Sequence, residues 1–546
     1  MRRKRTEDHI DRIVATWLAA RVHVDAFLFD PQAYLTAAKW WLKRKRVRAR
    51  GQFAPLLSQS PRAYRLWALR QEQTNSGNGR SHIGSAIISL VYGTGDRRQL
   101  AITRRSLATE GIPALIIGAA QAHDITAATK SVDWSAKPWL MPINIGDRIA
   151  PGTAAAYCAA IAEQSNDAGM AKIIYADDDQ LDKRSRRTAP HFKPDWNSEL
   201  FQHFDYLTGA CILHAGRADL EAVADRPDWA QQLVMRAAQA EGRSPVHVRQ
   251  MLHHRRTRFA PRIPAAPVAP SRDMPHVTII VPTRNRVDLL RTCLEGIAAT
   301  DYPTVDVIVV DNDSDDPETR AYLADLDSVH TQVLNHRGVF NYSAINNRAA
   351  AQARGQLLCL LNNDIEMTRP DWLAIMAHQA MRHDVGAVGA RLLYPDGRIQ
   401  HAGVVIGVGN AAGHAHRFLH PNEEGYFRRH ALPQFTSAVT AACLLVQRER
   451  FMAVGGLDER NFAVAFNDVD LCLRLNQRGW QSLYEPRATL IHHESVSRGL
   501  DQDPVGAARF AGELAALKRI WNTDEITDPF HHPQLSRAAE RFVVAI

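Results

Sequence analysis

Three polar clusters follow three apolar runs in the second half of the chain. Pro282, Thr283, Arg284 and Asn285 come after VTIIV; Asp311, Asn312, Asp313 and Ser314 come after VDVIVV; Asn362, Asn363, Asp364 and Glu366 come after QLLCLL. Two more chemically capable groups lie downstream: Asp468 and Asp470 in FNDVDLCLRL, and His492 and His493 after RATLI. Carboxylates and imidazoles can take up protons or hold divalent cations. Spacing alone does not decide between the two. The apolar runs alternate with helical patterns, which implies an α/β fold with a mostly parallel sheet. Ligands of an open α/β sheet sit outside the carboxyl ends of its strands. One polar loop there would say little, but three in order read as one binding edge.

The elements that carry this edge belong to a duplicated unit. At 546 residues the chain is too long for one compact core. Its 45% hydrophobic and 23% charged residues exclude a disordered chain, a collagen and a multi-span membrane protein. Five prolines between residues 257 and 275 mark an extended linker. The stretches it separates resemble each other: 85–107 parallels 276–297, 205–223 parallels 437–456, and 234–256 parallels 471–494. A period this long implies tandem duplication of a whole domain rather than a solenoid. The copies are unequal, because the second has an insert that includes FNYSAINNRAAAQARG.

On these motifs the second half resembles family 2 of the inverting glycosyltransferases, with the GT-A fold. IIVPTRNR, VIVVDNDSDD, LLNNDIE, ARLLYPDGRIQHAGVV, GHAHR, SAVTAACLLV, FNDVDLCLRL and LIHHESVSRG stand in the family's order. The closest likeness is to tandem-domain members associated with surface polysaccharide assembly. The resemblance implies an α/β chain of two tandem GT-A-like domains, the first degenerate, with a basic helical N-terminal arm. It implies a nucleotide-sugar donor held by Pro282, Thr283, Asn285, Asp311 and Asn363, and a divalent metal, Mn²⁺ or Mg²⁺, on Asp364 and His492. Asp468 takes the place of the catalytic base. Asn362, Glu366, Asp470, His493, His401 and Arg498 are further candidates around the site. Asn362 and Asn467 depart from the family's acids, which leaves Asp364 as the main carboxylate ligand. The acceptor would be a glycan or a lipid-linked glycan. The alternatives are a non-catalytic glycan- or nucleotide-binding scaffold and a nucleotidyltransferase; the absence of a glycine-rich phosphate loop disfavours the latter.

The first half looks eroded. INIGD stands where LNND does, leaving Asp147, and DRPDWAQQL stands where FNDVD does, leaving Asp228. YADDDQLD, with Asp177, Asp178, Asp179 and Asp182, imitates a metal motif but falls at the place of GARLLYPDGR. The expected divisions are a basic helical region at 1–75, a degenerate domain at 76–256, the linker at 257–275, a catalytic domain at 276–505 and a C-terminal helix and tail at 506–546. Residues 34–50 combine Trp40 and Trp41 with seven Lys and Arg side chains, a pattern that suits an anionic membrane surface. No nucleic-acid-reading module accompanies them. The basic start, broken by Glu7, Asp8 and Asp11, does not read as a signal peptide. Six scattered cysteines without a CxxC pair fit a reducing cytoplasm, with peripheral contact at the inner membrane face.

Overall fold

The computed structural model describes residues 2–75, 87–118, 122–164, 170–240, 242–265, 273–326, 330–493 and 504–546. Four helices open the chain: α1 (Arg2–Phe29), α2 (Pro31–Leu42), α3 (Arg46–Ser58) and α4 (Ala63–Asn75). The first sheet contains β1 (Ile87–Tyr92), β2 (Ala114–Gly118), β3 (Trp139–Asn144), β4 (Arg148–Ile149), β5 (Ile173–Leu181), β6 (Arg187–His191), β7 (Cys211–His214) and β8 (Val246–Arg255). The second sheet opens with β9 (Val277–Thr283), β10 (Val305–Asp311), β11 (Thr331–Asn335), β12 (Leu357–Leu361), β13 (Ile365–Met367), β14 (Val385–Leu393) and β15 (Ile399–His401). A small hairpin, β16 (Val404–Ile406) with β17 (Ala412–His414), leaves that sheet, and β18 (Gln434–Thr436), β19 (Cys443–Gln447) and β20 (Gln481–His492) complete it.

The two sheets share one topology. The first runs β2-β1-β3-β7-β5-β8-β4, with β6 on β5. The second runs β11-β10-β9-β12-β19-β14-β20-β13, with β15 on β14 and β18 on β20. With β11 removed the orders coincide strand for strand, and so do the pairing senses: β3 and β12 meet β7 and β19 antiparallel, while β5 and β14 meet β8 and β20 parallel. Duplication is thus visible in hydrogen bonding as well as in sequence. Among the described residues the first sheet has no counterpart of β11. That strand and the helix Pro317–Leu326 are extra in the second copy, whereas the helix Tyr342–Gln352 covers the sheet face that Ala122–Ala128 covers in the first. The sheets are mixed. The continuous parallel runs are β2-β1-β3 in the first sheet and β11-β10-β9-β12 in the second, where β19 lies antiparallel to both β12 and β14. Apolar periodicity carries no strand direction, so this reversal was not readable in advance.

Val/Ile/Leu-rich strands such as β9 and β12 are buried on both faces, as a sheet covered by helices on each side requires. One face of the second sheet packs Leu290, Trp372 and Met376, and the other Ile345, Phe462 and Leu475. The two domains are also welded together. Asn197 donates Nδ2–H to the Phe435 carbonyl (2.9 Å), and its Oδ1 accepts the Phe435 N–H (3.2 Å). Arg382 pairs with Glu199 at 2.6 Å across the same seam. After the helix Pro504–Trp521, the C-terminal tail packs Leu535 and Phe542 into a cluster shared with Trp67 of α4, Phe192 of the first domain and Val405 of the second.

The acidic run lies on β5 inside this assembly. Asp178 meets the fully buried Lys193 at 2.8 Å and also pairs with Arg258. Asp179 meets Tyr64 of α4, Arg187 and His254. Asp177 meets His247 (3.1 Å) and, from the tail, His532 (3.0 Å). These last three side chains bring their ligand-type atoms within 4.8 Å of one another. His532 Nδ1 accepts the Gln534 N–H (3.0 Å), which turns Nε2 toward Asp177. The contact clamps the tail onto β5.

Candidate functional site

The three polar clusters meet through direct hydrogen bonds. Asn285, held at a φ of 53°, donates its N–H to Ser314 Oγ (2.9 Å) and accepts the N–H groups of Asp315 and Asp316 on Oδ1. That joins the loop after β9 to the loop after β10. Ser314 in turn donates its N–H and hydroxyl to Asp311, whose carboxylate closes β10 and is largely buried. Asn363 donates Nδ2–H to Thr283 Oγ1 (3.0 Å), joining the first loop to the loop after β12. Pro282 lies on β9 opposite Val310, which fixes the register of the two loops.

Asp364 occupies the turn between β12 and β13, and β13 pairs with the end of β20, Ile365 opposite His492. This register sets His492 Nε2 at 3.1 Å from Asp364 Oδ1. On the other side of the ring, His492 donates Nδ1–H to Gln400 Oε1 (2.7 Å). Asn362 Nδ2, a donor, points at Nε2 from 3.4 Å. The Nε2 face of the ring is thereby turned to the Asp364 carboxylate, an arrangement in which a ring nitrogen and a carboxylate oxygen can share one cation. A ring whose second nitrogen is tied to a carbonyl oxygen is the usual form of a metal-bound histidine, so the pair fits a hard divalent cation. Gln400 was not foreseen; the only pointer to it in sequence is its place beside His401.

Asp468 is the second residue of the helix Asn467–Gln477. Its Oδ2 accepts the Ala441 N–H (3.0 Å), and the next carbonyl, that of Ala442, accepts the Asn362 N–H (3.0 Å). One dipeptide therefore spaces Asp468 from the Asn362–Asp364 turn. Burial pushes the Asp468 carboxyl above its ordinary range, outweighing the Ala441 and Val469 N–H groups and the Thr440 hydroxyl that favour its charge.

The other candidates are placed elsewhere. Glu366 is half-buried and pairs with His493 Nε2 at 2.9 Å, while His493 sends its backbone N–H to the Asp364 carbonyl. Asp470 accepts from Arg474 and from Trp521 Nε1 (3.0 Å), anchoring the last helix. His401 is fully buried against His414 and Tyr484, and burial keeps its ring well below the usual imidazole range, hence neutral. Arg498 lies outside the described residues.

The first domain keeps the frame with other chemistry. Asp147 stands one residue before β4, as Asp364 stands before β13, and accepts the Arg256 N–H (2.7 Å). His254 pairs with Arg148 as His492 pairs with Ile365, but its ring turns to Asp179 at 2.8 Å. Next to it the fully buried Arg255 guanidinium lies among Asp178, Asp147 and Tyr92. Asp228 does not take the place of Asp468. It lies one residue before the helix Trp229–Gln239, half-buried and bonded to Arg226 and Gln232, and the second residue of that helix is Ala230.

Residues 278–442 match the model of Glycosyl transferase family 2. The chain is 39% identical over 421 residues, 69% of its length, to the uncharacterized protein y4gI of Sinorhizobium fredii, of which this covers 46%. It is 36% identical over 410 residues, 67% of its length, to the O-antigen biosynthesis protein RfbC of Myxococcus xanthus, of which this covers 32%. The chain thus spans less than half the length of these relatives. Among solved structures, a mannosyltransferase from Pyrobaculum calidifontis in complex with GDP-Man and Mn²⁺ aligns over 50% of this chain and 71% of that one, at 20% identity and a TM-score of 0.35. Residues 278–442, which carry β9 to β18, form a glycosyl transferase family 2 domain.

Proposed function

We propose that the chain is an inverting glycosyltransferase that moves a sugar from a nucleotide-diphosphate donor to a hydroxyl of a growing glycan. The observation that carries this reading is the hydrogen-bonded frame that joins Asp311, Asp364 with His492, and Asp468 at one sheet edge. Asp311, Thr283, Asn285 and Asn363 would receive the nucleotide. Asp364 and His492 would hold Mn²⁺ or Mg²⁺, whose charge supports a departing diphosphate. Asp468 takes the proton of the acceptor hydroxyl while that oxygen bonds to the anomeric carbon. The bond from that carbon to the diphosphate oxygen breaks, so the configuration inverts. A raised carboxyl pKa suits this role, because a base works best when its pKa approaches the operating pH.

The name of the M. xanthus relative directs the acceptor toward surface polysaccharide of the O-antigen class. Six cysteines, unpaired in the described residues, suit work in the cytoplasm. Asp468→Asn keeps the Ala441 hydrogen bond within reach but removes the base. Nucleoside diphosphate release in the presence of acceptor should fall by about 10²–10⁴-fold, with donor affinity retained. Wild-type turnover by this variant would overturn the assignment of the base. Donor binding by the wild type, with no diphosphate release from any donor and acceptor tried, would favour the scaffold reading instead, for which Asn362 and Asn467 speak.

A further inference from the structure

The N-terminal helices carry a surface that the transfer reading leaves unused. Among the described residues 22 large apolar side chains are exposed, and ten of them fall between Ile13 and Val47. On α1, Leu18, Val22 and Ala26 are buried, the first two packing with Leu66 of α4. Ile13, Trp17, Ala20, Val24 and Leu28 recur at three- and four-residue intervals on the opposite face and are exposed. An α-helix apolar on both faces is normally buried on both, and contiguous exposed apolar surface marks an interaction site.

The turn from α2 to α3 adds charge to this surface. Trp41, Leu42 and Val47 are 51%, 74% and 60% exposed, and Lys39, Lys43, Arg44, Lys45, Arg46, Arg48 and Arg50 are exposed around them. Lys45 and Arg48 lie over the Trp40 ring at 5.4 and 5.2 Å, and Arg46 over Trp41 at 5.4 Å. Residues 31–71 contain ten Lys and Arg and no Asp or Glu, which exceeds the net charge of +8 of the whole chain. Tyr34 is not part of this surface. Its ring packs between Phe27 and Phe53, at 5.7 and 5.3 Å, and ties the three helices together.

We propose that the turn joining α2 and α3, with the exposed face of α1, docks on an anionic lipid bilayer. A nucleic acid would meet the cations but leave Trp41, Leu42 and Val47 uncovered. A second copy of the chain would cover the apolar side chains but bring like charges together. Anionic headgroups over an acyl layer satisfy both, with the indoles at the interface. The far end of α3 reaches the second domain: Gly51 and Pro55 line a cleft of about 520 Å³ with Val408, Phe466, Phe510 and Leu514. Phe466 is two residues from Asp468. If the transfer reading holds, docking would set that cleft close to the lipid.

The test uses the full chain and phosphatidylcholine vesicles with and without phosphatidylglycerol. Wild type should co-float with the anionic vesicles at least about tenfold better than with neutral ones, with a blue shift of tryptophan fluorescence. Joint replacement of Lys43, Arg44, Lys45 and Arg46 by Gln should weaken this binding by about 10³-fold. Trp41→Ser with Leu42→Ser should remove the blue shift. No binding of wild type to anionic vesicles overturns the proposal. Equal binding by the Gln variant overturns it too, as does a lipid-independent dimer, or tight nucleic-acid binding, that the same substitutions abolish. Nucleoside diphosphate release from the donor with soluble acceptors should be unchanged in all of these variants, so a failure here is separate from a failure of the transfer reading.

Discussion

At the residue scale the decisive contact is one that no motif names. Asp364, His492 and Asp468 stand out in the sequence as candidates because charged and imidazole side chains follow apolar strands in a recognisable order. Gln400 was not, since a glutamine inside IQHAGVV has the same appearance whether it faces solvent or a ring nitrogen. Its Oε1 holds the His492 Nδ1–H at 2.7 Å and so determines which nitrogen faces Asp364. Outer partners of this kind typically account for about 10–100-fold in metal affinity. Gln400→Leu should therefore weaken Mn²⁺ binding by about that factor, measured by calorimetry on the purified chain, while leaving nucleotide binding in the absence of metal unchanged. Unchanged Mn²⁺ affinity would mean that His492 is not a ligand. His401, more conspicuous in sequence, should tolerate Gln without a change in Mn²⁺ affinity, because its ring nitrogen is engaged with His414.

At the element scale, β5 carries the most acidic run in the chain, and sequence could only mark its place as wrong for a donor metal. Its actual work depends on segments hundreds of residues away, which local patterns do not encode: α4 reaches Asp179 through Tyr64, and the tail reaches Asp177 through His532. Burial alone would raise the Asp177 carboxyl, but the His532 and His247 imidazoles beside it hold it well below the usual carboxylate range. Burial alone would lower His247, but Asp177 and Asp195 raise it above the usual imidazole range. The carboxylate therefore contributes stability that is present above about pH 4 and lost as pH falls. The imidazolium contributes stability that is present below about pH 6.5 and lost as pH rises through its raised folded value. The tail should be held most firmly between these limits. Hydrogen exchange of residues 528–546 against pH should show protection falling on both sides. His247→Gln should flatten the alkaline side only, and a profile without pH dependence would contradict the clamp.

For the whole molecule, the shared topology raises the question of whether one or both copies can act. Duplication was readable from the paired segments, and the matching strand orders and senses extend it to the backbone. What sequence could not supply was the fate of the first copy's site, because Asp147 and His254 are both retained. The structure separates them. Burial pushes the Asp147 carboxyl up to about 7. His254 is committed to Asp179, and Arg255 brings a fixed cation to the strand end. A site already supplied with a guanidinium has little use for a divalent cation, and no acid stands on its helix at the place of Asp468, where Ala230 lies. The two copies should therefore respond oppositely to the same substitution. Asp364→Asn removes the carboxylate that faces His492 and should lower both Mn²⁺ affinity and diphosphate release by on the order of 10²-fold or more. Asp147→Asn keeps the acceptor for the Arg256 N–H, and should leave release and Mn²⁺ stoichiometry at wild-type values. Calorimetry of the wild type should return one Mn²⁺ per chain, lost in Asp364→Asn and kept in Asp147→Asn. A second equivalent that disappears with Asp147 would show that the first copy holds metal after all and would reopen its role in transfer.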